Sequence, residues 1–214
     1  MDKNQKYVIT INRELGSGGR TVGRKLAEKL NVPFYDKALI NELKEKFKLS
    51  TEEIEKLKGS KRQWWREFIN AAMYLGQGMN ETWYYQRMTG QEQHLLTSAD
   101  MFEVEKVVLK NVAEEESCIV AGRSGFSVFA DHPNHLSILI QAPLEHRIQR
   151  IMTKQNLSHE EAEKAIKKVD EMRENYVKKF TGKSRYDTRN YDLVINMEGK
   201  TEDEAVDLIL SFIG

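Results

Sequence analysis

A run of glycines near the start of the chain has the residue types and spacing that bind phosphate. Gly16, Ser17, Gly18 and Gly19 follow an apolar segment at 7–11 and precede a stretch with the apolar spacing of a helix. Glycines let backbone N–H groups converge on an anion, and a helix N-terminus adds about half a positive charge. The pattern predicts a nucleotide-binding phosphate loop. A turn that needs glycine only for close packing is the alternative.

This loop lacks the lysine of the Gly-x-x-x-x-Gly-Lys-Ser/Thr phosphate loop, and two alignments are open. In the first, Glu14 takes the place of the first glycine and Arg20 that of the lysine, and Thr21 supplies a hydroxyl ligand for Mg²⁺. In the second, counted from the end of the strand, Gly19 falls at the lysine position. Arg20 or a distant arginine must then neutralise the transferring phosphate. A guanidinium is a planar fork and an ammonium a point charge, so both alignments predict an altered phosphate geometry.

Two more polar residues lie at or just beyond the ends of predicted apolar strands. Asp36 follows the segment 32–35, and Arg123 comes two residues after the segment 118–121. Ligands of open α/β sheets bind beyond the carboxyl ends of the strands, where an arginine can clamp a phosphate and an aspartate can orient an acceptor hydroxyl or a metal-bound water. We therefore place both residues at the site. The alternatives are a surface ion pair for Arg123 and a helix N-cap for Asp36.

A basic stretch near the C-terminus is predicted to form a lid. Asp170 and Arg173 are three residues apart and share one face of a long predicted helix. Gly182 follows the helix and would let the next segment hinge over a site, as lids in phosphoryl transfer do. Arginines that arrive with such a lid stabilise charge on the transferring group. For any single residue here, a solvated helix face is the alternative.

The elements that must position these residues alternate between strand and helix. Five short, mostly continuous apolar runs predict buried parallel strands at 7–11, 32–35, 118–121, 136–142 and 193–196. Helical patterns separate the runs, and capping boxes beginning at Ser50, Ser158 and Thr201 mark helix starts. The order predicts an α/β domain with a mostly parallel sheet.

The region from 36 to 117 interrupts this alternation and predicts an inserted helical subdomain. It contains all three tryptophans, Trp64, Trp65 and Trp83, among other aromatic and methionine side chains. Tryptophan and tyrosine are enriched at interfaces, so a homodimer contact or helix packing is favoured here. Stacking on a base is the alternative.

Composition limits the class of protein further. The 214 residues include 33 basic and 33 acidic side chains, and zero net charge argues against a nucleic-acid partner. No apolar run reaches 18 residues and no signal peptide is recognisable at the start, so we expect no membrane partner and a cytoplasmic protein. The single cysteine, Cys118, lies in an apolar run and predicts a buried thiol.

Taken together, these motifs resemble the cytidylate-kinase-like family of the nucleoside monophosphate kinase group. The resemblance runs from Tyr7 to Ile213 and is weakest from about 41 to 117. It is carried by the glycine-loop segment and by four further motifs, at 34–36, 120–123, 142–147 and 173–196.

The resemblance implies a three-layer P-loop kinase fold with a five-stranded sheet. It implies one domain over 1–214, with the helical acceptor-binding insertion at about 41–116 and the lid at about 147–190. ATP with Mg²⁺ would be the donor and CMP or dCMP the acceptor. Donor contacts would come from Arg147 and Arg150, and acceptor contacts from a set of four residues: Asp36, Arg123, Asp170 and Arg173.

The chain departs from cytidylate kinases after the second strand and after Arg123. Only Asp36 remains of the Asp-Ser/Thr-Gly-Ala-x-Tyr-Arg acceptor motif, and Ser124 stands where those enzymes carry an aspartate. Two alternatives to a CMP kinase therefore stay open: a kinase of another small metabolite, and a nucleotide-binding regulatory protein with weak or no catalysis.

Overall fold

A parallel sheet of five strands forms the centre of the part of the chain that the computed structural model describes, residues 1–37, 39, 40 and 99–214. The strands are β1 (Val8–Arg13), β2 (Phe34–Asp36), β3 (Cys118–Ala121), β4 (His135–Gln141) and β5 (Leu193–Asn196). All four pairings are parallel, and the order across the sheet is β2-β3-β1-β4-β5. The predicted α/β fold with a parallel sheet is confirmed, and β1 lies at its centre.

Helices cover both faces of this sheet and make three layers. They are α1 (Gly19–Leu30), α2 (Ala99–Glu115), the single turn α3 (Gly125–Val128), α4 (Leu144–Gln155), α5 (His159–Thr181) and α6 (Glu202–Ile213), with a 3₁₀ turn at Thr188–Asn190. Helices α1 and α6 pack on one face, and α2, α4 and α5 pack on the other. Within the described residues, no helix combines the length and apolarity needed to cross a membrane.

Alternation along the strands explains why the apolar runs are continuous. Val8 of β1 belongs to the core under α2, α4 and α5, whereas Ile9 and Ile11 belong to the core under α1 and α6. In β3, Cys118 faces the first core and Ile119 the second. Successive strand side chains point to opposite faces, and both faces are covered, so most strand positions are apolar. Thr10 of β1 and Ser137 of β4 are buried polar exceptions. Burial also raises the pKa of the Cys118 thiol, which is the buried thiol the sequence predicts.

Two of the predicted capping boxes form as expected. The Ser158 hydroxyl accepts a hydrogen bond from the Glu161 amide at 3.3 Å, and the Glu161 carboxylate accepts one from the Ser158 amide at 2.8 Å. Thr201 and Glu204 repeat this arrangement at the start of α6. Both helix starts were predictable because a capping box is a local device that needs no tertiary partner.

Helix α2 is the described end of the predicted insertion. The Phe102 ring stacks on the Phe180 ring of α5 with centroids 4.6 Å apart and meets the Tyr176 ring edge-on at 5.9 Å. The capping box at Ser50 and the three tryptophans of the predicted dimer contact lie outside the described residues. The bounds of the insertion, at about 41–116, and of the lid, at about 147–190, stay predictions.

Candidate functional site

The glycine loop connects the carboxyl end of β1 to the first residue of α1. Gly16 and Gly18 have φ angles of +83° and +82°, a left-handed conformation that L side chains rarely adopt. A Cβ at Gly16 would lie 2.7 Å from the carbonyl oxygen of Arg147, closer than real Cβ atoms come. Both glycines are therefore required by the backbone path, and the N-terminus of α1 lies directly after them.

Side chains on the inner side of the loop tie it to β4. The Ser17 hydroxyl lies 2.9 Å from the carbonyl oxygen of Glu14 and 3.2 Å from that of Ile140, so it can donate to either. The Glu14 carboxylate accepts a hydrogen bond from the Ala142 amide at 3.1 Å. These contacts give the Ser17 side chain an anchoring role. The predicted contact of Ser17 with nucleotide would then be made by its backbone rather than by its hydroxyl.

Arg20 and Asp36 meet at the end of β2. The Arg20 Nε donates a hydrogen bond to the Asp36 carboxylate at 2.7 Å, and both side chains are buried. The other Asp36 oxygen accepts from the Leu39 amide at 2.9 Å, the N-cap contact that the sequence left as an alternative. The structure thus places both residues beside the loop and joins them to each other. That Arg20 replaces the loop lysine and that Asp36 contacts the acceptor stay predictions.

Thr21 faces a guanidinium. The Arg150 Nη2 donates a hydrogen bond to Thr21 Oγ1 at 3.2 Å, and the Arg150 Nη1 lies 2.5 Å from a Glu202 carboxylate oxygen. A Cβ built at Gly18 would lie 3.6 Å from the Arg150 Cζ, so this arginine does lie next to the loop. A second cation at the Thr21 hydroxyl would be repelled. Mg²⁺ therefore fits there only after Arg150 moves away.

Asp170 links the loop to three arginines. One of its carboxylate oxygens accepts from Arg147 Nη1 at 2.6 Å, and the other accepts from the Leu15 amide at 3.0 Å. That second oxygen also lies 3.4 Å from Arg185 Nη1 and 3.7 Å from Arg173 Nη1. The carboxylate balances a cluster of positive charge and holds α4, α5 and the glycine loop in register.

Arg185 belongs to the basic stretch predicted as a lid, but it was not among the individual site residues predicted from the sequence. Its side chain is fully buried, and its guanidinium donates to the Arg13 carbonyl oxygen, which also accepts from Arg173 Nη1 at 3.1 Å. Its amide donates to the Glu174 carboxylate at 3.0 Å. In the sequence it is one basic residue of several after Gly182, and no periodicity separates it from its solvated neighbours.

A cationic cavity lies beside the loop, between the ends of β1 and β3 and the face of α5. Its lining includes four basic side chains: Arg13, Lys37, Arg123 and Arg173. Burial lowers the pKa of the Arg123 guanidinium; Tyr176 opposes this shift and nearby Arg13 adds to it. Several positive groups around one cavity favour an anionic ligand.

Arg123 is held in this cavity by partners on α2 and α5. It forms an ion pair with Glu105, and its guanidinium lies 4.7 Å from the centroid of the Tyr176 ring. The Tyr176 hydroxyl donates to the Glu105 carboxylate at 3.2 Å. Glu105, which is 2% exposed, is a site residue that sequence reasoning missed. The one sequence feature that could have indicated Glu105 is its position as an acidic residue within an apolar helical pattern.

Three successive left-handed residues form the turn that presents Arg123. Gly122, Arg123 and Ser124 have φ angles of +79°, +56° and +54°. Side chains in this conformation cost of order 1–3 kcal/mol and persist only where the surroundings impose them, often at functional sites. Here the Gly122 amide donates to the Ile11 carbonyl at 2.9 Å, which fixes the turn to β1.

A glycine loop at the end of the central strand, beside a basic cavity at the same sheet edge, defines the class of kinase-type P-loop proteins. The chain belongs to the cytidylate kinase-like family, whose model matches residues 8–199. The resemblance found in the sequence motifs is confirmed by this match.

Curated relatives of the chain include archaeal enzymes named cytidylate kinase. The chain is 29% identical to that of Saccharolobus islandicus over 116 residues, which are 52% of this chain and 61% of the relative. It is also 29% identical to that of Sulfolobus acidocaldarius over 119 residues, 53% of this chain and 64% of the relative. The match thus spans somewhat under two thirds of the length of these relatives.

Solved structures share the fold. An uncharacterized protein from Eubacterium ventriosum superposes with a TM-score of 0.66 at 23% identity, and the match covers 98% of each chain. Shikimate kinase from Bacteroides thetaiotaomicron superposes with a TM-score of 0.51 at 15% identity, over 97% of this chain and 98% of that one. At these identities the likeness shows the α/β fold alone.

Proposed function

We propose that the protein transfers the γ-phosphoryl group of ATP to a nucleoside monophosphate, with CMP or dCMP as the acceptor. The observation that carries the proposal is the position of the cationic cavity at the same sheet edge as the glycine loop. A donor phosphate in the loop and an acceptor phosphate in the cavity would then be neighbours. Membership of the family supports the reaction class, and the names of the archaeal relatives support the choice of acceptor.

The glycine loop would hold the donor. With no Cβ at Gly16 and Gly18, the backbone can close around an oligophosphate, and the start of α1 contributes its dipole. Mg²⁺ carried with the nucleotide would neutralise charge on the phosphate oxygens. Thr21 is the hydroxyl proposed to hold it, once Arg150 is drawn from Thr21 onto the phosphates.

The cavity would hold the acceptor. Arg123 and Arg173 line it, and a phosphate dianion would separate their like charges. Asp36 would contribute by positioning Arg20, and Asp170 by positioning Arg173.

The transfer itself needs alignment and charge stabilisation rather than a covalent intermediate on the protein. An acceptor phosphate oxygen forms a bond to the γ-phosphorus as the bond from phosphorus to the bridging oxygen breaks. The electron pair of the broken bond stays on ADP, and the acceptor becomes a diphosphate.

A coupled assay of ADP release tests the proposal. Purified protein with MgATP is offered CMP, dCMP, UMP, AMP and GMP in turn, with ATP alone as the blank. We expect CMP or dCMP to raise ADP release well above the blank. Binding of MgATP without turnover on any monophosphate would contradict it, and turnover on an acceptor of another class would identify a different kinase.

Nucleotide binding without catalysis is the second candidate function. The missing loop lysine favours it, because that lysine ordinarily reaches the β- and γ-phosphates. Calorimetry separates the two candidates. Saturable MgATP binding together with background-level ADP release across the acceptor panel is the result that supports a regulatory protein.

A further inference from the structure

The Arg13 side chain runs from the glycine loop into the cationic cavity. It is buried at the end of β1, and a Cβ built on Gly19 would lie 2.6 Å from the Arg13 Cβ and 3.2 Å from its Cγ. At the far end of the side chain, a Cβ on Gly122 would collide with the Arg13 Nη1. Two glycines from different elements therefore make room for the whole length of this arginine.

Positions 13 and 19 cannot both carry a side chain in this backbone. In the alignment counted from the end of the strand, Arg13 stands at the first glycine of the customary loop and Gly19 at its lysine. A lysine at 19 would need a Cβ in the space that Arg13 occupies. Compared with a lysine-bearing loop, this chain therefore has its cation, Arg13, at the position of the first glycine, and a glycine, Gly19, at the position of the lysine.

The guanidinium of Arg13 lies where donor and acceptor would meet. It lines the cavity together with Asn12, Arg123 and Arg173, while its Cβ packs over the first residue of α1. Arg20, by comparison, extends to Asp36 at the end of β2.

We propose that Arg13 takes over the task of the missing lysine and contacts the phosphoryl group in transit. The proposal rests on the proposed function. A guanidinium can donate two parallel hydrogen bonds, so it can contact oxygens of the donor and of the acceptor at once. The backbone of Arg13 is held separately, because its carbonyl oxygen accepts from Arg173 and Arg185. Replacing the side chain leaves those contacts in place.

The first test replaces Arg13 by methionine and measures the Kd of MgATP by calorimetry and kcat by ADP release. We expect the Kd to rise roughly tenfold or more, as when one partner of a buried charge pair is lost, and kcat to fall about 100-fold, as when one transition-state donor is removed. Arg24→Met is the matched control. The Arg24 side chain lies on α1, is 34% exposed and pairs with Glu28. We expect Arg24→Met to keep the wild-type Kd for MgATP and the wild-type kcat.

The second test moves the cation back. Gly19→Lys alone should unfold more readily and lose activity, because its Cβ meets that of Arg13. In an Arg13→Gly background the same lysine should raise kcat at least tenfold over Arg13→Gly alone. A folded double variant with no gain would overturn the proposal.

Conservative replacement separates charge from packing. Arg13→Lys keeps a cation and should bind MgATP with a Kd within a few-fold of that of the wild type. If Arg13→Met does not fold, Arg13→Gln takes its place as the uncharged variant. A lysine variant that binds as poorly as Arg13→Met would overturn the proposal.

The outcomes for the two proposals are distinct. If wild-type protein neither binds MgATP nor releases ADP, the proposed function fails. If wild type turns over and Arg13→Met does so equally well while Arg20→Met does not, the proposed function stands and the lysine's task belongs to Arg20.

Discussion

Asp170 shows how a single carboxylate can organise a cluster of arginines. It contacts the glycine loop through the Leu15 amide, α4 through Arg147 and the segment after α5 through Arg185. The sequence identifies Asp170 and Arg173 as partners on one helix face, because residues three apart meet there. It gives no sign of Arg147 or Arg185 in the same cluster, because those contacts arise only when distant segments pack together.

Replacing Asp170 by asparagine should destabilise the protein strongly. Removing one partner of a buried ion pair leaves uncompensated charge and costs about 3–5 kcal/mol. We expect a loss in that range in the free energy of unfolding measured with urea. Asp187→Asn is the control, because its partner Arg189 is 88% exposed and such pairs contribute about 1 kcal/mol or less. Equal losses in the two variants would show that Asp170 is no centre of the arginine cluster.

The glycine loop is the element on which the site depends, and much of it was predictable. A strand, a glycine run and an amphipathic helix are local patterns, and all three form where the sequence places them. The direction of side chains around the loop was not predictable. Arg20 follows Gly19 in the sequence and matches the lysine position in one alignment, yet it reaches Asp36. Arg13, at the end of the strand, enters the cavity.

Gly16→Ala should disrupt this element more than an equally left-handed glycine elsewhere. Both Gly16 and Gly182 have positive φ, so alanine costs about 1–2 kcal/mol at either position. A Cβ at Gly182 meets nothing within 4 Å, whereas at Gly16 it lies 2.7 Å from the Arg147 carbonyl. We expect Gly16→Ala to show the larger drop in unfolding free energy and at least a tenfold loss of MgATP affinity. Gly182→Ala should keep its affinity.

If Gly16→Ala retains wild-type MgATP affinity while remaining folded, the loop does not bind phosphate in the way proposed. Stability and affinity are therefore measured on the same preparations.

At the scale of the whole molecule, the sheet was predictable because it is covered on both faces. Continuous apolar runs predict buried parallel strands, and all five lie within a few residues of the predicted positions. Arg123 and Asp36 were also placed correctly at one sheet edge by the rule for strand ends. Their partners in other layers were not predictable, because Glu105 reaches Arg123 from α2, a separate helix that packs on the sheet.

Stability of the whole fold should fall in mild acid partly through His135 at the start of β4. Its Nε2 lies 2.8 Å from the Thr10 hydroxyl of β1, and burial lowers its pKa from 6.5 to about 4, with His132 adding to this and Asp192 opposing it. The folded state therefore binds a proton less readily than the unfolded chain. The contribution is fully present above pH 6.5 and is lost as the pH falls from 6.5 towards 4.

Urea unfolding at pH 7, 6, 5 and 4 measures this effect. His135→Gln cannot take up the proton, so its unfolding free energy should decline less steeply than that of wild type over this range. Parallel declines in the two proteins would show that His135 titrates alike in the folded and unfolded states.

The most direct test of the account is a crystal structure of the protein with Mg²⁺ and a non-hydrolysable ATP analogue. We expect the triphosphate to lie along the main chain of Gly16 to Thr21, with its γ-phosphate facing the cavity that Arg13, Arg123 and Arg173 line. A bound analogue whose phosphates lie away from this loop would contradict the account.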